Sequence, residues 1–284
     1  MIAIEQLRYV RLGTRDLKGA VDFSEQMLGL QLVANSDQSA YFRSDFRDRT
    51  IVFFHGDIAD RCVGFEIRGP AEFEAAIAEL SEQGFKVRIG TEDECALRKV
   101  RSLASFSDPC GTTIELVVRP QHSGWRYFPA RDAGIVGLSG VALRAVDVPA
   151  CERLWTRLFN GRVSDWVGDA SFLRFDRAHH RLAYYPSKLS GVFAVEFAVE
   201  NVDLLMQNSY FLQAAQVKIV HGPGRRPTSN QIFLTFAGPG DMLFSYVTEG
   251  DLVSDEANHR PRQFPRARSS FCAWGSESKT PEFT

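Results

Sequence analysis

The sequence predicts an α+β fold in which one module of strands and helices occurs twice along the chain. Two observations predict it. The order of predicted strands and helices in the first half repeats in the second half, at an offset of about 130 residues. The 284 residues also leave room for two such modules of ordinary domain size.

Each module opens with a strand that leads into an amphipathic helix. In the first module the strand includes Tyr9, Asp16 can cap the helix, and Gly29 ends it. In the second module the strand includes Gly140, and Asp147 is the matching cap. The two openings are therefore predicted to fold alike.

The rest of each module repeats in the same order. Residues 39–56 and 170–187 each predict a β-hairpin with a polar turn. Residues 62–87 and 194–219 each predict a strand, a helix and a strand. Residues 105–118 and 235–247 each predict a closing pair of strands that turns at a Pro-Gly-containing segment.

This repetition predicts two domains, residues 1–120 and residues 135–250, with a turn-rich linker at 121–134. A tail follows at 251–284. Phe271 and Trp274 are expected to pack on the body, and the polar end after them is expected to fray.

Composition excludes several classes of protein. The formal net charge is -2, so no basic surface predicts binding to nucleic acid or to an anionic membrane. No apolar stretch approaches the ~20 residues of a membrane span, and no signal peptide is evident. Five scattered cysteines without a CxxC pair predict reduced thiols and a cytoplasmic protein.

Several stretches together resemble the two-domain type I extradiol ring-cleavage dioxygenases of the vicinal-oxygen-chelate superfamily, which also contains glyoxalases and bleomycin resistance proteins. They are LRYVRLGTRDLKGAVDFSEQMLGLQL, SFSDPCGTTIELVV, the pair His179–His180, GPGRRPTSNQIFLTF, and RPRQFP with CAWG in the tail. The resemblance spans the whole chain. It implies tandem βαβββ modules that form two similar open barrels, a catalytic second module, and a homo-oligomer.

The family holds iron(II) with two histidines and one glutamate. The resemblance places Gly140, Ala194 and Ser245 at those three positions. Glycine and alanine have no ligating side chain, and serine is a poor ligand for iron. No metal and no cofactor are therefore expected, and iron(II) is expected only if the ligand positions lie elsewhere. The equivalent positions of the first module carry a phenol, a thiol and a carboxylate, on Tyr9, Cys62 and Glu115.

Other positions of the family site keep side chains that can bind or react. The resemblance makes His180 the acid–base histidine, and it places Phe172 against the aromatic substrate. Thr235 lies where the family has a substrate-binding tyrosine, and Arg226 where it has a polar residue. Because histidine titrates near neutrality, His180 is the predicted catalytic residue.

Strand alternation adds three candidates for the same pocket. It places Tyr184 on the face of His180. It also turns Glu196 and Arg144 toward the cavity, two and four residues after the second and the first ligand position. An Arg144–Glu196 pair is expected there, because buried charges rarely persist unpaired.

Three functions follow as alternatives. The favoured one is a metal-independent acid–base enzyme acting on an aromatic or ring-cleaved metabolite. The second is a binding protein for small aromatic molecules. The third is an extradiol dioxygenase whose ligands lie at other residues.

Overall fold

The computed structural model describes all 284 residues. The first half of the chain forms one eight-stranded sheet. Its strands in spatial order are β2 (Gln31–Asn35), β3 (Ser39–Arg43), β4 (Ile51–His55), β1 (Ile4–Thr14), β5 (Arg61–Ile67), β8 (Thr113–Val118), β7 (Ser102–Ser107) and β6 (Arg88–Ile89). We call this half the N-terminal module.

The second half forms a nine-stranded sheet, which we call the C-terminal module. Its strands in spatial order are β17 (Arg262–Phe264), β10 (Arg162–Val167), β11 (Ala170–Arg174), β12 (Leu182–Pro186), β9 (Ile135–Ala145), β13 (Gly191–Val199), β16 (Leu243–Thr248), β15 (Ile232–Ala237) and β14 (Ile219–Arg225). Strand β17 comes from the tail and pairs with β10 in parallel.

The two sheets have the same topology once β17 is set aside. In each, the opening strand pairs in parallel with the last strand of the hairpin and antiparallel with the strand that follows, as β1 does with β4 and β5 and β9 does with β12 and β13. The predicted α+β class and the tandem repeat are therefore confirmed.

The helices are α1 (Leu17–Asp22), which continues as a π-helical turn (Phe23–Met27), α2 (Pro70–Glu82), α3 (Glu92–Arg98), α4 (Val148–Arg157), α5 (Val202–Ala214) and α6 (Arg268–Phe271). Asp16 and Asp147 cap α1 and α4, as predicted, by accepting hydrogen bonds from the backbone N–H of Gly19 and Ala150.

Helix α3 has no counterpart in the C-terminal module and was not predicted. Thr91 and Glu94 form a reciprocal capping box at its start. This helix brings Arg98 over the interior of the N-terminal module. In the C-terminal module, the loop between β14 and β15 has the corresponding place in the chain and carries Arg226.

One hydrophobic core of 50 buried residues extends across both modules. Aromatic rings join the halves, with Phe65 4.9 Å from Trp155 and Phe106 stacked on Phe159 at 6.1 Å between centroids. A smaller cluster of ten buried residues fills the interior of the C-terminal module and includes Phe172 and Ala194.

The tail differs from the prediction. Phe271 is buried as expected, but Trp274 is 52% exposed. The polar end packs instead of fraying: Glu282 and Phe283, in a short 3₁₀ turn (Pro281–Phe283), are buried against the C-terminal module. The two residues find partners that the sequence does not reveal.

All five cysteines are free thiols, which agrees with the expected absence of a disulfide framework. No helix is long and apolar enough to cross a membrane.

Candidate functional site

The three positions that the resemblance matches to the iron ligands of the family lie on three neighbouring strands of the C-terminal sheet. Gly140 is on β9, Ala194 on β13 and Ser245 on β16, and all three are buried. Glu196 pairs in register with Gly140 on one side and with Ser245 on the other. The Ser245 hydroxyl is 2.7 Å from that of Thr235 and forms a hydrogen bond with it.

A buried ion pair fills the space between these strands. Arg226 donates from Nη2 to Glu196 Oε1 at 2.5 Å and from Nη1 to Gln231 at 2.8 Å. Burial raises the pKa of Glu196, but Arg226 and His180 outweigh it and hold that pKa well below the usual range. Burial lowers the pKa of Arg226, but the attraction of Glu196 outweighs this effect, so the pKa of Arg226 is raised overall. Both groups therefore stay charged.

Gly140 makes room for this ion pair. A Cβ atom at that position would lie 3.2 Å from Glu196 Oε2, a tight contact that a larger side chain could not avoid. The same oxygen is buried without a hydrogen-bond partner, and His180 Nε2 lies 3.5 Å from it. Glu196 thus offers one unsatisfied carboxylate oxygen to the interior.

His180 lies beside this free oxygen at the end of a buried polar chain. Its Nδ1 is 3.0 Å from Nδ1 of His179, whose Nε2 is 3.0 Å from Asp165 Oδ2. Asp165 is also held by Arg262. This row of hydrogen-bonded side chains therefore runs from Arg262, which is half exposed, inward to His180.

The chain of contacts sets the tautomer of His180. A carboxylate accepts hydrogen bonds only, so His179 donates from Nε2 to Asp165 and has a bare Nδ1 when neutral. His180 then donates from Nδ1 to His179, which leaves Nε2 of His180 as a bare acceptor. That nitrogen faces Glu196 and Arg226, both at 3.5 Å.

The pKa of His180 supports a neutral ring. Burial lowers this pKa to about 4, although Glu196 opposes the shift. A neutral imidazole with a free Nε2 can accept a proton. The imidazolium that results would lie next to the unsatisfied Glu196 oxygen, which stabilises it.

One of the predicted pocket residues, Phe172, lies beside His180. Phe172 contacts the His180 ring edge to face, with 5.1 Å between centroids. Thr235 is buried on β15 and bonded to Ser245. Arg226 also belongs to the site, as the partner of Glu196.

Tyr184 does not line this pocket, and this prediction was wrong. Its hydroxyl donates to Asp108 of the N-terminal module and accepts from Trp155, within the shared core. His180 lies in an irregular segment before β12, so the alternation of the strand does not extend back to it. The tyrosine on the pocket side is Tyr185, whose ring is 5.8 Å from Phe172.

The predicted Arg144–Glu196 pair does not form either. Arg144 binds Glu282 of the tail, with Nε 2.6 Å from Oε1, and Glu196 binds Arg226. Alternation gives the face of a side chain but not its partner, and Glu282 is distant in sequence. Glu196 does lie in a buried charged pair, but its partner is Arg226 and not the predicted Arg144.

In the N-terminal module, two of the three residues equivalent to the iron-ligand positions, Tyr9 and Glu115, lie together, and Glu115 pairs with Arg98. The Tyr9 hydroxyl donates to Glu115 at 2.5 Å, and Arg98 donates to both Glu115 oxygens at 2.5–3.1 Å. Cys62 is buried nearby, and burial raises its pKa to about 12. A neutral thiol and a carboxylate saturated by arginine leave no open site there.

Iron(II) is the cofactor that the family resemblance implies, and the side chains at the three positions do not fit it. Gly140 and Ala194 supply no donor, and the Ser245 hydroxyl is engaged by Thr235. No three His, Cys, Asp or Glu side chains in the chain are grouped so that they could hold a metal ion.

Comparisons with known proteins agree with the fold. Residues 6–116 match the model of the Glyoxalase/Bleomycin resistance protein/Dioxygenase superfamily. The chain is 28% identical to a biphenyl-2,3-diol 1,2-dioxygenase of Sphingomonas paucimobilis over 264 residues, which cover 87% of this chain and 88% of that one. A solved structure of a halotolerant catechol dioxygenase superposes with a TM-score of 0.89 at 20% identity, covering 100% of this chain and 98% of that chain.

A further relative contradicts the prediction that the chain uses no cofactor. The iron-dependent extradiol dioxygenase of Rhodococcus jostii (strain RHA1) is 26% identical over 304 residues, which cover 97% of this chain and 98% of that one. The relatives thus imply iron(II), whereas the side chains at the three positions here do not supply its ligands. Residues 6–116 thus match the Glyoxalase/Bleomycin resistance/Dioxygenase (vicinal-oxygen-chelate) superfamily model, the chain as a whole is similar to extradiol dioxygenases, and it has their two-module fold.

Proposed function

We propose that this protein acts in aromatic-compound catabolism by binding an aromatic or ring-cleaved metabolite in the C-terminal module, where His180 is the general base. The observation that carries the proposal is the unprotonated Nε2 of a neutral, buried His180, which lies 3.5 Å from an unsatisfied Glu196 oxygen and 3.5 Å from Arg226 Nη1. Such a nitrogen can take a proton from a ligand, and the carboxylate can hold the charge that forms.

A ring-cleaved metabolite suits this base. Extradiol cleavage of a diol leaves a carboxylate at one end and a carbonyl at the other. A C–H bond next to the carbonyl is acidic enough for an imidazole to remove its proton when the enolate is stabilised. Arg226, which lies 3.5 Å from His180 Nε2, provides a nearby positive charge.

The proton must also leave the interior, because His180 is 3% exposed. His179 provides a route. It contacts His180 on one side, and on the other it lines a polar surface cavity of about 450 Å³ together with His259 and Arg262. Proton release at Nδ1 of His180 would pass to His179 and from there to solvent.

Ring cleavage of a diol is the second candidate, and one observation favours it. A relative aligned over 97% of this chain is an iron-dependent extradiol dioxygenase. Under this candidate, iron(II) would be held by residues other than Gly140, Ala194 and Ser245, with His180 as the acid–base residue.

One experiment separates the candidates. The purified full chain is incubated anaerobically with iron(II), its metal content is measured by mass spectrometry, and turnover of a catechol is followed by the yellow colour of the product. Stoichiometric iron with ring cleavage would establish the second candidate and reject the first.

The first candidate is tested by proton exchange. A panel of unsaturated keto acids is incubated in D₂O with wild-type protein and with His180→Ala, and deuterium incorporation is followed by NMR. Exchange that requires His180 supports the general base. Binding without any exchange indicates a binding protein, and exchange that His180→Ala leaves intact rejects the role of His180.

The domain boundaries at residues 120 and 135, the cytoplasmic location and the homo-oligomer are parts of the same proposal. Light scattering of the purified protein would test the oligomer.

A further inference from the structure

The tail covers the mouth of the C-terminal module. Glu282 and Phe283 lie inside it, at 5% and 7% exposure. Phe283 belongs to the same buried cluster as Phe172, which contacts His180. A ligand that reaches His180 from this side must therefore take the place of these two residues.

Glu282 occupies a carboxylate site. Arg144 Nε lies 2.6 Å from Glu282 Oε1, and the hydroxyl of Ser187 lies 3.4 Å from the same oxygen. The second oxygen, Oε2, is buried without a hydrogen-bond partner. The Arg144 guanidinium also lies over the Phe193 ring at 4.8 Å, which keeps it in this position.

Phe283 occupies an aromatic site next to it. Its ring centroid is 5.5 Å from that of Tyr185, 5.9 Å from that of Phe193 and 5.5 Å from that of His221. Tyr185 in turn contacts Phe172. The aromatic surface thus continues from the tail to the wall of the His180 site.

Before this point the tail is held mainly by the hydrogen bonds of Ala273 with Arg225 and of Ser276 with His221 and Gly222. Most residues from 273 to 281 are exposed, and none belongs to a strand. An open cavity of about 650 Å³ adjoins the tail and is lined by three cationic side chains, Arg144, Lys218 and Lys279, against the two acidic ones Asp241 and Glu277. A volume of this size suits a small ligand, and its charge favours an anion.

We propose that this mouth binds a molecule carrying both an aryl group and a carboxylate, with the carboxylate on Arg144, and that Glu282 and Phe283 occupy the place until such a ligand displaces them. The proposal rests on the proposed function and sharpens it, because extradiol cleavage turns one hydroxyl-bearing ring carbon of the diol into a carboxylate. Ligand and tail then compete for one site.

Isothermal titration calorimetry on the full chain tests the proposal by measuring the affinity for cinnamate. The neutral cinnamamide, which has the same aryl group without the carboxylate, is the control ligand. Wild type should prefer cinnamate. Glu282→Gln with Phe283→Ala should bind cinnamate about tenfold more tightly, because a larger fraction of the protein is then open. Arg144→Gln should weaken cinnamate binding about tenfold and leave cinnamamide binding unchanged. Glu74→Gln, at an exposed acid on α2 of the N-terminal module, is the control and should leave the binding of both probes unchanged.

Hydrogen exchange on the wild type keeps the test independent of any variant that does not fold. Cinnamate should speed amide exchange in residues 282–284, whereas cinnamamide should not. Equal binding of the two probes, or no gain when the tail residues are replaced, overturns the proposal. His180→Ala should keep cinnamate binding, so loss of proton exchange without loss of binding tests the proposed function separately.

Discussion

The two modules each bury a glutamate–arginine pair, but they satisfy the glutamate to different degrees. In the N-terminal module, Glu115 takes hydrogen bonds from Arg98 on both oxygens and from Tyr9, with Arg11 3.7 Å away. In the C-terminal module, one oxygen of Glu196 binds Arg226 and the other has no hydrogen bond.

This difference determines which of the two carboxylates can still interact with a ligand or a neighbouring proton. A saturated carboxylate stabilises its surroundings and has no capacity left for a ligand. A carboxylate with a free oxygen beside a neutral histidine can respond when that histidine gains a proton. The same fold thus holds a saturated glutamate–arginine pair in one half and a pair with one open carboxylate oxygen in the other.

The largest expected effect tests this separation directly. His180→Ala should lower the rate of proton exchange on an active keto acid by about 10²- to 10⁴-fold, the usual contribution of a general base. Tyr9→Phe, in the N-terminal module, should leave the rate unchanged. Equal losses in the two variants, measured by deuterium incorporation, would contradict the division between modules.

Removal of each arginine should distinguish the pairs by stability. Arg98→Leu leaves Glu115 buried without its main partner and should lower the free energy of unfolding by about 3–5 kcal/mol. Arg226→Leu should cost less, because His180 can take a proton and pair with Glu196. Urea unfolding measures both.

Arg68→Leu is the control for these variants, since its pair with Glu5 is exposed and should change stability by less than about 1 kcal/mol. A larger loss for Arg226→Leu than for Arg98→Leu would show that His180 does not compensate for the missing charge.

Stability should also fall in acid because of the buried histidines of the C-terminal module. The pKa values of His180 and His221 are each lowered by burial to about 4, so the unfolded chain binds more protons than the folded one between pH 6.5 and 4. Each histidine should therefore remove about 2 kcal/mol between pH 7.5 and pH 5.

Urea unfolding at the two pH values checks this, with His180→Gln losing about 2 kcal/mol less than the wild type. His55→Gln, at an exposed position, is the control. Identical pH dependence in His180→Gln and the wild type would mean that His180 titrates alike in the folded and unfolded chain.

The smallest effects concern single hydroxyl groups. Tyr9→Phe removes a hydrogen bond to a charged carboxylate and should cost about 2 kcal/mol, whereas Thr235→Val removes one between two hydroxyls and should cost about 1 kcal/mol. Thermal unfolding compares the two. A larger loss at Thr235 would indicate that the Thr235–Ser245 contact supports more of the site than its geometry suggests.

Much of the fold was predictable because local rules determine it. Periodicity and turn residues are enough to predict the repeat, the caps at Asp16 and Asp147, and the order of strands along the chain. Helix α3 carried a signal too, the capping box of Thr91 and Glu94, which sequence reasoning missed.

The site was predictable only in part, because side-chain partners depend on packing between distant segments. His180, Glu196 and Arg226 were named, but not their mutual contacts. Tyr184 was assigned by carrying alternation across an irregular segment, where it does not hold. The pairing of Arg144 with Glu282 joins residues 138 positions apart, which no pattern of periodicity can reveal.

The core shared by the two halves has a consequence for how the protein could change over time. Because Phe65 packs on Trp155 and Phe106 on Phe159, a substitution in one half alters the packing of the other. The N-terminal half, although its buried glutamate is saturated, cannot drift freely or be lost. A gene fragment encoding the C-terminal half alone would yield a chain with a large exposed apolar face, prone to aggregate.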